Sequence, residues 1–158
     1  MPSFETTRRV PFTPEQMFDL VADVESYPQF LPLCEGLRVL SRAKDGEADV
    51  VVAAMDVGYK AIRETFTSRV TLDRQGMTVV ADLVEGPFRH MRNRWSFTAV
   101  PGGADVRFDI SYEFKSMLLQ MLVGGVFDQA FRKFAEAFER RAEVVYGTPT
   151  QVVERPTA

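Results

Sequence analysis

Polar and apolar residues alternate along most of this chain, and the one long departure from alternation lies near its end. Phe4, Thr6, Arg8, Val10 and Phe12 interleave with Glu5, Thr7 and Arg9, the two-residue period of a first strand with a mixed inner face. Thr13-Pro14-Glu15-Gln16 then announces a helix: Thr13 can cap, proline suits the first helical position, and Gln16 completes a capping box. Met17, Val21 and Val24 form its apolar stripe, with Phe18 and Leu20 beside it. The helix is expected to end before Tyr27-Pro28, because the residue preceding proline is pushed out of the helical region. Tyr27–Cys34, with two prolines among bulky apolar residues, reads as a stiff loop or short helical turn able to close one end of a cavity.

From Leu37 to Phe114 the pattern is strand after strand. Turns are expected at Lys44-Asp45-Gly46, Asp56-Val57-Gly58, Asp73-Arg74-Gln75-Gly76, Glu85-Gly86-Pro87 and Pro101-Gly102-Gly103. Ile62, Phe66, Val70 and Leu72 share one face, as do Met77, Val79, Ala81 and Leu83, then Met91, Trp95, Phe97 and Ala99. The strictest alternation is Val106, Phe108, Ile110, Tyr112 and Phe114 against Arg107, Asp109, Ser111 and Glu113.

Alternation then stops. Met117–Val123 is apolar all round, Gly124-Gly125 follows, and Phe127, Phe131, Phe134, Phe138, Ala142 and Val145 recur at the spacing of a buried helical stripe. Glu136 and Arg140 form a favourable pair on the outer face. Unbroken, such a helix would be roughly 45 Å long. Each glycine costs about 1 kcal/mol relative to alanine, so a bend or break is expected there. Met117–Val123 has two readings: a helix end buried under the sheet, or a gate or membrane-touching patch built on adaptable methionines.

The order is strand, helices, strands, long helix, with no repeat or linker. This predicts one α+β domain over residues 1–147, followed by a flexible tail at 148–158. An antiparallel sheet of about seven strands curved around one long helix encloses an elongated apolar space, the shape of a carrier for a greasy molecule.

Composition narrows the partners. At 158 residues the chain can bury roughly 70% of its unfolded surface. A formal net charge of -3 argues against DNA binding by broad phosphate neutralisation. One cysteine, Cys34, allows no internal disulfide, the N-terminus lacks the regions of a signal peptide, and no apolar run reaches the roughly 20 residues of a membrane span. The expected location is the cytoplasm, with peripheral contact at the inner face of the cell membrane left open.

Several separated motifs carry a resemblance. Tyr27-Pro28-Gln29-Phe30-Leu31-Pro32-x-Cys34, Phe66-Thr67-Ser68-Arg69-Val70, and Glu85-Gly86-Pro87-Phe88 with Trp95-x-Phe97 resemble the coenzyme Q-binding proteins of the START-related superfamily. The bacterial branch of that family comprises oligoketide cyclase/lipid transport proteins and the ribosome association toxin. The resemblance covers nearly the whole chain. It implies a helix-grip fold with a hydrophobic tunnel, and ubiquinone or another isoprenoid lipid as bound ligand in support of respiration, with no further cofactor. It implies two alternatives as well: association with the large ribosomal subunit, and polyketide cyclisation.

The expected tunnel residues are Tyr27, Phe30, Leu31, Phe66, Trp95, Phe97, Phe108, Phe114, Met117, Met121, Phe127 and Phe131. Each is also a plausible core residue, since core and cavity wall share side chains in such a fold. Glu64 shares the face of Ile62 and Phe66, and inside it would need a partner such as Arg8, Thr6 or Tyr112. Catalysis fits poorly: His90 is the one histidine, on a polar strand face away from the Cys34 loop, and so few ligands make a metal site improbable. Arg63, Arg69, Arg92 and Arg94 could form a basic patch on outward strand faces, although a solvated sheet face explains them equally simply.

Overall fold

A computed structural model describes residues 3–147; the tail expected at 148–158 lies outside them. Strand β1 (Ser3–Val10) leads into helix α1 (Pro14–Ala22), whose start carries the expected reciprocal cap. The Gln16 amide donates to Thr13 Oγ1 at 3.1 Å and the Thr13 amide to Gln16 Oε1 at 2.9 Å. α1 stops earlier than the proline rule implied. It ends at Ala22, and a separate 3₁₀ helix, Val24–Gln29, passes through Pro28, whose fixed φ fits that tighter turn.

Six strands then run back and forth: β2 (Cys34–Asp45), β3 (Ala48–Tyr59), β4 (Ile62–Asp73), β5 (Thr78–Glu85), β6 (Phe88–Val100) and β7 (Gly103–Phe114). Spatially the order is β1-β7-β6-β5-β4-β3-β2, with every pair antiparallel. The chain thus crosses from one edge to the other through α1 and the 3₁₀ helix, then meanders back to pair β7 with β1. Register shifts at Cys34/Gly36, Val39/Ser41, Thr67/Ser68 and Phe88/His90 mark bulges, which bend strands and raise twist. Between β5 and β6 the pairing covers only Thr78–Asp82 with Arg92–Ser96; beyond it the two strands part towards the Gly86-Pro87 turn.

One expected turn is strand interior. Asp56, Val57 and Gly58 all lie in β3, and the chain reverses at Lys60-Ala61, with Lys60 at a φ of 55°. Gly58 serves close approach instead of a turn: a Cβ there would sit 2.5 Å from Glu35 Oε2, and its amide donates to Leu33 O at 3.1 Å.

Helix α2 (Met117–Tyr146) is capped by Ser116 Oγ, which accepts from the Leu119 amide at 3.1 Å. It runs through Gly124-Gly125 without interruption, because Val123 and Phe127 on either side are both buried and hold the turn in place. Its inner face is Phe127, Phe131, Phe138 and Ala142, joined by Ala130 and Ala135, while Val145, expected on the stripe, is exposed. The inner faces of β6 and β7 meet this stripe, and all five inward side chains of β7 are buried as their alternation predicts.

Candidate ligand cavity

The inward face of the sheet and the middle of α2 leave an apolar cavity of about 70 Å³. Its floor is Phe131, Phe134 and Phe138 of α2, and its walls are Phe66, Ser68 and Val70 of β4, Met91, Asn93 and Trp95 of β6, and Ala53 and Met55 of β3. Tyr27 and Leu31, from the proline-rich segment, also line it. The Tyr27 hydroxyl donates to the Val21 carbonyl, and its ring meets Phe138 edge-on at 5.2 Å. Burial keeps that phenol protonated far above the ordinary tyrosine range. The aromatic edge of the segment is therefore fixed by a hydrogen bond at one end and ring packing at the other.

The expected site residues divide into three groups. Tyr27, Leu31, Phe66, Trp95 and Phe131 line the cavity together. Phe97, Phe108, Phe114 and Phe127 are buried behind it in a continuous aromatic cluster, with Trp95–Phe108 at 4.7 Å and Phe114–Phe127 at 5.5 Å between centroids. Phe30 packs on Phe138 at 4.9 Å and turns its other side to an open surface groove, where the Arg141 guanidinium lies 5.2 Å from its ring. Met117 and Met121 lie on the surface, 84% and 79% exposed, because the first turns of α2 present only Leu119 and Val123 to the core.

Two polar wall residues were not among the expected ones. Asn93 is fixed by chemistry on both sides: Trp95 Nε1 can only donate, and does so to Asn93 Oδ1 at 3.0 Å, while Nδ2 donates to the Asp109 carbonyl at 2.9 Å. One N–H and one lone pair of the amide remain for a ligand. Ser68 is buried and contributes a hydroxyl to the same wall. Both could have been found as polar residues standing at inward positions, Ser68 between Phe66 and Val70, Asn93 between Met91 and Trp95. Glu64, at the next inward position of β4, is half-buried and lies outside the cavity lining.

The Cys34–His90 pair is not assembled. Cys34 is buried and its thiol donates to the Gly36 carbonyl at 3.6 Å. Burial pushes that thiol up to about 11, so it stays protonated at neutral pH. His90 shares a hydrogen bond of 3.1 Å with Ser111 Oγ across β6 and β7.

The arginine row is also resolved. Arg69 of β4 and Arg92 and Arg94 of β6 project from the exposed side of the sheet, but acids alternate with them. Asp82 stands opposite both Arg69 and Arg92, and Asp109 opposite Arg94, with Arg107 held by Glu5. Arg63 pairs with Glu35 at 2.9 Å. Interleaved charges of this kind produce a solvated lattice, and a concentrated positive field does not arise. No helix among the described residues is long and apolar enough to cross a membrane.

Known proteins share this architecture. The family described as polyketide cyclase/dehydrase and lipid transport matches residues 10–139. A ribosome association toxin from Escherichia coli is 37% identical over 92% of this chain and 90% of its own length. The corresponding toxin from Vibrio cholerae is 40% identical over 87% of this chain and 93% of its own. A mitochondrial coenzyme Q-binding protein homologue from Xenopus laevis is 33% identical over 86% of this chain, which spans 56% of that longer protein. The solution structure of an 18 kDa protein from Caulobacter crescentus superposes with a TM-score of 0.75 at 35% identity, covering 94% of this chain and all of the other. With the family matched across most of its length and the sheet-and-helix grip in place, this chain belongs to the polyketide cyclase/dehydrase and lipid transport family.

Proposed function

We propose that this chain carries ubiquinone or a closely related isoprenoid lipid between the sheet and α2, in support of respiratory electron transfer. The observation that carries this reading is an apolar cavity with one polar corner, where Asn93 and Ser68 stand among aromatic and aliphatic side chains. A quinone ring offers carbonyl oxygens that would accept from the spare Asn93 N–H and the Ser68 hydroxyl. An isoprenoid tail needs only apolar contact, worth about 0.8 kcal/mol per methylene removed from water. The free cavity equals about two water volumes, so uptake requires the sheet and α2 to part. Met55 and Met91 in the wall suit such enlargement, since unbranched thioether side chains repack readily. The likeness to a coenzyme Q-binding homologue supports the choice of ligand.

Trp95 gives a direct test, because it is the only tryptophan and its ring lines the cavity. Titration with a short-chain ubiquinone is expected to quench its emission saturably, and native mass spectrometry of protein from a quinone-producing host is expected to show a co-purifying quinone. Protein that is empty and shows no saturable quenching would refute the carrier reading.

A second reading is supported by the 37–40% identity to ribosome association toxins over nearly their full length. On that reading the chain binds the large ribosomal subunit. Co-sedimentation with isolated large subunits that survives moderate salt would favour it, and loss of binding at the first rise in salt would mark the contact as non-specific.

A further inference from the structure

The first turns of α2 present a feature that a ligand cavity does not account for. Met117, Leu118, Met121 and Leu122 are 84%, 65%, 79% and 59% exposed. At 3.6 residues per turn these four positions fall within an arc of about 140° on one helix face. Gly125 continues that face one turn on, exposed and with open space around it. From Phe114 through Phe127 the single charged residue is Lys115. The nearest acids in the chain are already engaged: Glu113 by Arg89 at 3.5 Å and Asp128 by Arg132 at 2.9 Å. The exposed Lys115 thus stands two residues before the apolar face, at the positive end of the helix dipole.

We propose that this face docks on a lipid bilayer, with Met117, Leu118, Met121 and Leu122 in the acyl boundary and Lys115 at the headgroups. Four apolar side chains fall far short of the roughly 20–30 residues a side in a stable protein interface. The face also offers no hydrogen-bonding side chain beyond Gln120 at its margin, so it provides little of the directional specificity of a protein contact. A fluid apolar phase needs neither area nor direction. Unbranched methionines and leucines beside a lysine that can reach upward are the make-up of an interfacial helix.

The location connects this surface to the cavity. The Lys115 amide donates to the Pro87 carbonyl at 2.9 Å, which ties the start of α2 to the turn where β5 and β6 part. Exposed Val84 lies on the same β5 end, and Met91, next along β6, lines the cavity. Docking would therefore set the separated strands against the bilayer. This last step rests on the carrier reading, whereas docking itself does not.

The test is flotation with phosphatidylcholine vesicles, with and without phosphatidylglycerol, and free of quinone. Wild-type protein is expected to float with the vesicles, more so with the anionic lipid. The double variant Met117→Asp/Met121→Asp is expected to lose about tenfold or more in bound fraction with an unchanged thermal midpoint, while Val145→Asp, exposed at the far end of the helix, binds normally. Equal flotation of the double variant, or none by the wild type, overturns the proposal. So does a wild-type dimer that becomes monomeric in the double variant, which would assign the face to a second copy. Trp95 quenching by a soluble short-chain quinone reads the carrier function separately, and the double variant is expected to retain it.

Discussion

The two halves of α2 occupy opposite environments, and the more apolar of them is the more exposed. Met117–Val123 has six apolar residues in seven and leaves four of them largely in solvent, whereas Phe127–Ala142 alternates apolar and charged residues and buries its apolar stripe almost completely. Periodicity accounts for the difference. In the second half, charged residues such as Arg132, Lys133 and Arg140 define an outside, so only one orientation places the phenylalanines on the sheet. The first half carries no charge to specify a side, and only Leu119 and Val123 of it meet the core. Apolar content alone does not say whether a helix is covered.

The widest gap between the halves should appear in stability. Phe138 is 1% exposed and touches Trp95, Tyr27 and Phe30 at centroid distances of 4.9, 5.2 and 4.9 Å. Phe138→Ala is expected to cost about 3–5 kcal/mol in urea unfolding. Leu118→Ala, on the exposed half, should fall within about 0.5 kcal/mol of wild type. Comparable losses in the two variants would mean that the first turns are covered after all.

A smaller effect tests the polar corner that faces the buried half. Asn93→Leu removes the acceptor that the buried Trp95 indole N–H has among the described residues, and an orphaned buried donor costs about 1–3 kcal/mol. The same variant should weaken quinone quenching of Trp95 severalfold if the spare amide group contacts the ring. Unchanged stability would show that the indole finds another acceptor.

Much of this fold was legible because local chemistry agreed with tertiary need. The Thr13–Gln16 box, the strict alternation of β7 and the Phe127–Phe138 stripe each point one way at every level. The misreadings occurred where a residue type has two uses. Asp56-Val57-Gly58 carries turn residues, yet Gly58 leaves room for the Glu35 carboxylate inside a strand. The aromatics announced a shared core and cavity, but which of them would border free space depends on strand register and helix placement. Ser68 and Asn93 were visible as polar breaks in an inward row, the signal that an aromatic count overlooks.

The thiol on the buried side predicts a pH dependence. Cys34 titrates at about 11 in the folded protein, above the thiol value of 9.0 for an exposed group, because burial disfavours the thiolate. Between these values the unfolded chain releases a proton that the folded chain keeps. Stability therefore holds below pH 9 and falls as pH rises towards 11, by on the order of 2 kcal/mol at most. Tyr27 and Tyr112 enter the same trend from pH 10 upward, since burial raises both phenols. Urea midpoints between pH 8 and 10 should thus fall less steeply for Cys34→Ala than for wild type, and parallel curves would contradict the buried, protonated thiol.

The junction between the halves gives the smallest effect and the finest distinction. Gly124 and Gly125 both lie inside an unbroken helix with helical φ, so alanine at either should recover up to about 1 kcal/mol of propensity. Their surroundings differ. A Cβ at Gly125 meets nothing within 4 Å, whereas one at Gly124 would sit 2.2 Å from Gln120 Nε2, which must swing aside. Gln120 is exposed and its amide end is free to move, so the loss is a part of the gain and not all of it. Gly125→Ala is expected to raise stability by about 0.5–1 kcal/mol and Gly124→Ala by less, read as shifts in the urea midpoint at constant slope. If function requires α2 to bend here as ligand enters, Gly125→Ala should also slow Trp95 quenching by quinone while leaving its end point unchanged. A stabilised variant that loads at the wild-type rate would place the opening motion elsewhere, at the β5–β6 separation.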